Sequence, residues 1–214
     1  LKGIQLSPGD EFSYGAYAWY LAALGEMDQA IETCGRALEV DPLSPAVNTC
    51  MGLLLLRAGL SEQAIKQFRE TLELQPDQPQ AHWLLGQALV LVGRHQEGIQ
   101  EIEGALTLSR TSMDLGALGW AYGVAGREGD ARRVLRTLQE RSRKEYVRPY
   151  VFAKLHCGLG DTDTAFDWLD KAYQERDSKL AFIKTDETMA GLRSDPRFGT
   201  LLRKMGFPEM DGTN

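Results

Sequence analysis

The side chains best suited to chemistry are few and scattered. His82, His95 and His156 are the only histidines, and no two of them stand at metal-ligand spacing. No clustered nucleophile, base and orienting group accompanies any of them, so neither a catalytic centre nor a metal site is expected, and no cofactor is implied. Cys34, Cys50 and Cys157 form no close-spaced pair and read as small buried hydrophobes in a reducing environment. Gly116, Gly119, Gly123 and Gly126 could be taken for a phosphate loop. They sit inside a helical pattern with no preceding strand and no following Gly-Lys-Ser/Thr, so they read as close helix packing. Asp161 and Asp163 lack the remaining ligands of a calcium loop, and helix capping is the expected role.

The charge pattern narrows the partner. The net charge is −6 with a pI of about 5.2, which lacks the cationic footprint that a phosphate backbone demands, so nucleic acid is not expected. Against that background, residues 127–148 hold 8 basic and 4 acidic side chains. Arg132, Arg133, Arg136, Arg141, Arg143, Lys144 and Arg148 make this island; it is either a solvated outer face or a docking patch for an acidic partner. Apolar runs such as Met51 to Leu56 are far too short to span a bilayer. The chain opens at Leu1 with no leader pattern and reads as a piece of a longer protein. The cysteine usage fits the cytoplasm, with the periplasm open to a membrane-tethered parent.

The elements that must position these residues repeat. Gly25, Gly59, Gly93, Gly126 and Gly160 are spaced by 34, 34, 33 and 34 residues, and Ala18, Gly52, Gly86, Gly119 and Ala153 follow the same spacings. Ala30, Ala64, Gly98, Ala131 and Ala165 form a third column, and Ala37, Thr71, Ala105, Leu138 and Ala172 a fourth. Apolar residues at helical spacing flank each glycine, as Leu85, Leu89 and Val92 do before Gly93 and Ile99, Ile102 and Leu106 after it. Each unit is therefore a helical hairpin, and the small residues let its helices approach closely. Ser44-Pro45 and Gln78-Pro79 place proline at a first helical position, and Ser61 is expected to cap a second helix.

These ordered columns resemble the tetratricopeptide repeat (TPR). The resemblance implies an all-α, right-handed superhelical solenoid of antiparallel helix pairs. Five units are expected at about 11–44, 45–78, 79–111, 112–145 and 146–178, and residues 1–10, with Pro8 one period before Pro42, look like the end of a preceding repeat. Departures are Cys34 and Ile102 where Phe68 supplies an aromatic, Gly98 in place of alanine, and Arg110 where proline is expected. Ser194, Asp195 and Pro196 should start a final helix carrying Phe198, Leu201, Leu202 and Met205 on one face, within a helical cap over 179–208 before a tail at 209–214. Residues 146–208 also resemble the C-terminal TPR regions of bacterial multidomain signalling proteins, with kinase, winged-helix or cyclase domains.

In TPR domains the first helices line a concave surface. Transferred residue by residue, that geometry selects Phe12, Trp19, Thr49, Leu53, Trp83, Gln87, Trp120, Tyr150 and Lys154. These are either anchors for a ligand or side chains packed sideways on the neighbouring hairpin. Chaperone-binding members grip a terminal carboxylate with lysine, asparagine and arginine; here Gly15, Trp19, Thr49 and Trp83 occupy those places, with Lys154 the one cation. A hydrophobic or amphipathic protein segment is the expected ligand, self-association is a further option, and the function implied is a non-catalytic scaffold. The alternative is a regulatory part of a larger signalling protein.

Overall fold

The computed structural model describes residues 11–207, with side chains from Ser13 onward. The expectations for residues 1–10 and for the tail from Pro208 lie outside the described residues, as does the side chain of Phe12. The described residues are helical and contain no strand. They fall into two compact units that divide between Arg110 and Thr111. The first unit holds three hairpins: α1 (Glu11–Leu24) with α2 (Met27–Val40), α3 (Pro45–Arg57) with α4 (Ser61–Leu74), and α5 (Pro79–Leu91) with α6 (His95–Ser109). The second holds α7 (Ser112–Val124) with α8 (Glu128–Ser142) and α9 (Pro149–Gly158) with α10 (Thr162–Gln174). Two 3-10 helices, Ser178–Thr185 and Glu187–Leu192, and a last helix α11 (Pro196–Lys204) complete it.

The turn glycines act as their spacing demands. All five have φ between +72° and +88°, a conformation costly for any residue with a Cβ. The residue after each glycine donates its N–H back into the helix just ended, as in Leu60 N to Leu55 O at 2.9 Å and Arg94 N to Leu89 O at 2.8 Å. This satisfies carbonyls that the helix end would orphan. The second helix then starts at once, so Ser61 is already inside α4 and caps nothing; Leu60 holds the cap position without a side-chain bond. Ser44 does cap α3, its Oγ accepting from Val47 N at 3.4 Å, with Pro45 next to it.

Burial separates the two kinds of helix. The first helices α3, α5 and α9 are buried on nearly every side, whereas α4 buries one face through Ala64, Ile65, Phe68 and Thr71. The small-residue columns are contact points. A Cβ on Gly52 would sit 2.5 Å from the Phe68 ring, and one on Gly86 would sit 2.6 Å from Gly98 O. Where Ile102 replaces an aromatic and Gly98 replaces alanine, the two backbones close the gap that the missing atoms would leave.

Arg110 ends α6 in a left-handed conformation, φ +52°, the state a glycine usually supplies. Thr111 then caps α7 in a reciprocal box: Thr111 Oγ1 accepts from Asp114 N at 3.2 Å, and Thr111 N donates to Asp114 Oδ2 at 3.1 Å. Asp114 is buried, so Thr111→Ala should cost about 1 kcal/mol in chemical denaturation. An unchanged midpoint would assign the helix start to Arg110 alone.

The final helix begins where Asp195-Pro196 places it. Asp195 caps it by accepting from Arg197 N at 2.9 Å, and Phe198, Leu201 and Leu202 are buried against Ala165, Phe166, Leu169 and Ala172. No helix among the described residues is long and apolar enough to cross a membrane.

Candidate functional site

In the first unit α1, α3 and α5 are neighbours, and the 34-residue period puts Gly15, Thr49 and Trp83 in one row and Trp19, Leu53 and Gln87 in the next, four residues on. These rows share a helix face because four residues are about one turn. Trp19, Leu53 and Trp83 are half-buried, packed on the core at one edge and open at the other. The Arg57 guanidinium lies 5.8 Å from the centre of the Trp19 ring. Thr49 and Gln87 are buried instead, each 3 % exposed. The Thr49 hydroxyl donates to Pro45 O at 2.7 Å and lies 3.0 Å from Gln78 Oε1, so it serves the helix and its neighbour rather than a ligand.

Beside Trp19 lies a cavity of about 300 Å³, lined by Gly15, Ala16, Trp19, Ser44, Ala46, Val47 and Cys50. Sequence reasoning missed it, although its signal was present. Within the first unit the columns run Gly15, Thr49, Trp83 and Ala16, Cys50, Leu84, so the first repeat has a glycine and an alanine where the second and third have larger side chains; the fourth repeat has Gly116 and Ala117 at the same places, where Val151 closes in. Nothing comes within 4 Å of a Cβ built on Gly15.

The second unit departs from the expectation of an open wall. Trp120 and Tyr150 are each 2 % exposed and Lys154 4 %, so all three are covered by the chain itself. The cover at α9 is the stretch after α10. Tyr150 Oη donates to Asp186 Oδ2 at 2.8 Å, the Cys157 thiol donates to Thr188 O at 3.4 Å, and Arg148 pairs with the buried Asp177 at 3.0 Å. The Lys154 ammonium lies 5.8 Å from the Trp120 ring centre. Trp120, Tyr150 and Lys154 are therefore packed inside the unit, Trp120 against Gly158 and Lys154 of α9 and Tyr150 under the non-repeating segment.

The glycine run in α7 is a packing seam. A Cβ on Gly116 would meet Val151 at 2.5 Å, one on Gly119 would run into the Leu155 side chain, and one on Gly123 would meet the Gly158 backbone at 2.5 Å. Two of the three histidines serve as latches. His82 joins Glu101 at 2.6 Å and Pro76 O at 2.8 Å, and His156 joins Asp161 at 3.0 Å while Asp161 also caps α10. Among the described residues no three His, Cys, Asp or Glu side chains converge on a metal position.

The basic island is largely matched by its own carboxylates. Arg132 pairs with Glu128 at 2.5 Å, Arg133 with Asp130 at 3.0 Å, and Arg141 with Glu145, all within about one helical turn. Arg136, Arg143 and Lys144 form no ion pair among the described residues. The Asp195-Pro196-Arg197-Phe198 motif has a structural role as well: Arg197 bridges Asp195 at 2.8 Å and Asp163 at 2.9 Å and lies 4.4 Å from the Phe166 ring centre.

Comparison with known proteins bears on the repeats. Two tetratricopeptide-repeat family models match the chain, one over residues 13–42 and one over 51–112. No curated protein sequence matches it. Among solved structures, it is similar to a thermophilic TPR protein of Thermus thermophilus, with a TM-score of 0.65 at 19% identity over 85% of this chain and 100% of that one. The Cut9 and Hcn1 hetero-tetramer of the APC/C gives a TM-score of 0.67 at 14% identity, over 94% of this chain and 44% of that one. YrrB, described as a TPR protein with an unusual peptide-binding site, gives 0.53 at 19% identity over 86% and 95%. At these identities the likeness shows the fold, an all-helical solenoid, and the family models place tetratricopeptide repeats at residues 13–42 and 51–112.

Proposed function

We propose that this tetratricopeptide-repeat chain is a non-catalytic interaction scaffold whose first unit seats an apolar or amphipathic segment of a partner protein against Trp19, Leu53 and Trp83. The repeats carry the general part, since helical repeats of this kind serve protein association. The observation that carries the specific part is the three half-open, large apolar side chains in two adjacent rows of α1, α3 and α5, with a cavity of about 300 Å³ beside Trp19. That volume lies at the small end of ligand pockets and accepts one bulky side chain of a docked segment. Aromatic residues that keep one face open are efficient anchors because they bury much area for few frozen torsions. The peptide-binding site of the similar YrrB is consistent with the same use of the fold.

The test is affinity for a peptide selected on the immobilised chain, measured with wild type, Trp83→Ala and an Arg132→Glu/Arg136→Glu double variant at low and high salt. Trp83→Ala should weaken binding by about 2 kcal/mol, roughly thirtyfold, with the helical circular dichroism retained. Salt should matter little, since an apolar contact is not screened. If only the arginine variant loses binding, and only at low salt, the site moves to the outer face of α8 and the tryptophans are packing.

A further inference from the structure

Cys34 on α2 and Cys50 on α3 are 16 residues apart in sequence and meet where the first hairpin packs on the second. The Cys34 thiol donates to Val47 O at 3.7 Å, about one turn before Cys50, and both cysteines belong to one buried cluster in which their sulfurs interact electrostatically. They differ in access. Cys34 is completely buried, whereas Cys50 is 6 % exposed and lines the cavity with Trp19 and Val47. At the next junction the equivalent positions hold Phe68 and Leu84, so a sulfur pair is not what the repeat itself requires there.

The electrostatics separate the two thiols in the same sense. Its interaction with Cys50, reinforced by burial, raises the Cys34 thiol. The same interaction lowers Cys50, and the Arg57 charge acts in the same direction against burial. Cys50 is thus the thiol held lower and Cys34 the one held higher. The third thiol offers an internal comparison: burial pushes Cys157 up to about 11, and its sulfur is bonded to a backbone carbonyl.

We propose that Cys34 and Cys50 are a redox-modification site, in which a small hydroperoxide entering the Trp19 cavity oxidises Cys50 and Cys34 resolves the product as a disulfide tying the first hairpin to the second. Attack of the Cys50 sulfur breaks the O–O bond, places one oxygen on sulfur as a sulfenic acid and releases the other as water. Cys34 then displaces that oxygen as a second water while the S–S bond forms. Two thiols and one hydrogen peroxide give one disulfide and two waters, with the peroxide as oxidant. The two sulfurs, brought to the same helix junction by the fold, must close to about 2.05 Å to form the bond. This inference is independent of the docking function above.

The experiment treats the reduced chain with limiting hydrogen peroxide, blocks remaining thiols with N-ethylmaleimide and maps the unreduced digest by mass spectrometry. The expected product is a linked Cys34–Cys50 peptide pair, lower in mass by two hydrogens and restored by dithiothreitol, with Cys157 carrying the maleimide. Cys50 should be consumed at least about tenfold faster than Cys157. In Cys34→Ser the Cys50 sulfenic acid should persist long enough to be trapped by dimedone, and in Cys50→Ser the thiol of Cys34 should remain. Oxidation of wild type should also raise the melting temperature reversibly, because the bond closes a loop in the unfolded chain. Cys34 and Cys50 both remaining alkylatable in wild type, or Cys157 reacting as fast as Cys50, would overturn the assignment and leave the pair as packing.

Discussion

A chain ending at Thr185 should lose the folded second unit and aggregate. The truncation removes Met189, Leu192, Phe198, Leu201 and Leu202, all no more than 4 % exposed, from the cluster built on Phe166 and Leu169. At roughly 1.5–3 kcal/mol for each buried side chain, the loss is on the order of 10 kcal/mol, comparable with the whole stability of a domain. It also strips Asp186 from Tyr150 and Thr188 from Cys157. Size-exclusion chromatography should show association, and the melting transition of the second unit should disappear. A monomeric truncated chain with an unchanged melting temperature would show that the repeats need no cap at this end.

Gly86→Leu should have the second largest effect, a destabilisation on the order of 3 kcal/mol or more. The decisive comparison is with alanine. In a helix interior Gly→Ala ordinarily stabilises by about 0.5–1 kcal/mol through lost backbone entropy. At Gly86 the new methyl would lie 2.6 Å from Gly98 O and 2.5 Å from Ile102 Cγ1, and a backbone carbonyl cannot step aside like a side-chain tip. Gly86→Ala is therefore expected to destabilise. Gly104 on α6 has nothing within 4 Å of the same position, so Gly104→Ala should stabilise. Urea melts of the three variants check the signs, and Gly86→Ala coming out as stable as Gly104→Ala would mean that α5 and α6 are not held by this close approach.

Much of the architecture was legible because it follows from local rules acting at a fixed period. The turn glycines need positive φ, Ser44-Pro45 and Asp195-Pro196 open helices, and the apolar stripes on either side of each glycine imply a hairpin. Small residues such as Gly86 and Gly119 marked the close crossings without revealing which atoms they meet. The candidate site was legible only in part. Trp19, Leu53 and Trp83 keep an open edge, but Trp120, Tyr150 and Lys154 look equivalent by register and are not.

What the sequence by itself determined is the set of helical hairpins, their turns and the capping helix, since each depends on the backbone preferences and periodicity of neighbouring residues. What only the tertiary structure decided is which faces of those hairpins stay open. Residues 178–192 carry no repeat and fold as two short 3-10 helices, the second of which lies on α9, with Thr188 bonded to Cys157 31 residues earlier in the chain. Cys34 likewise reaches Val47 O, one turn before Cys50, across a helix junction, and the cavity beside Trp19 opens where Gly15 and Ala16 leave room. Contacts of this kind depend on which surfaces remain after the hairpins stack, and periodicity, which treats equivalent positions alike, cannot distinguish a position that is later covered from one that is not.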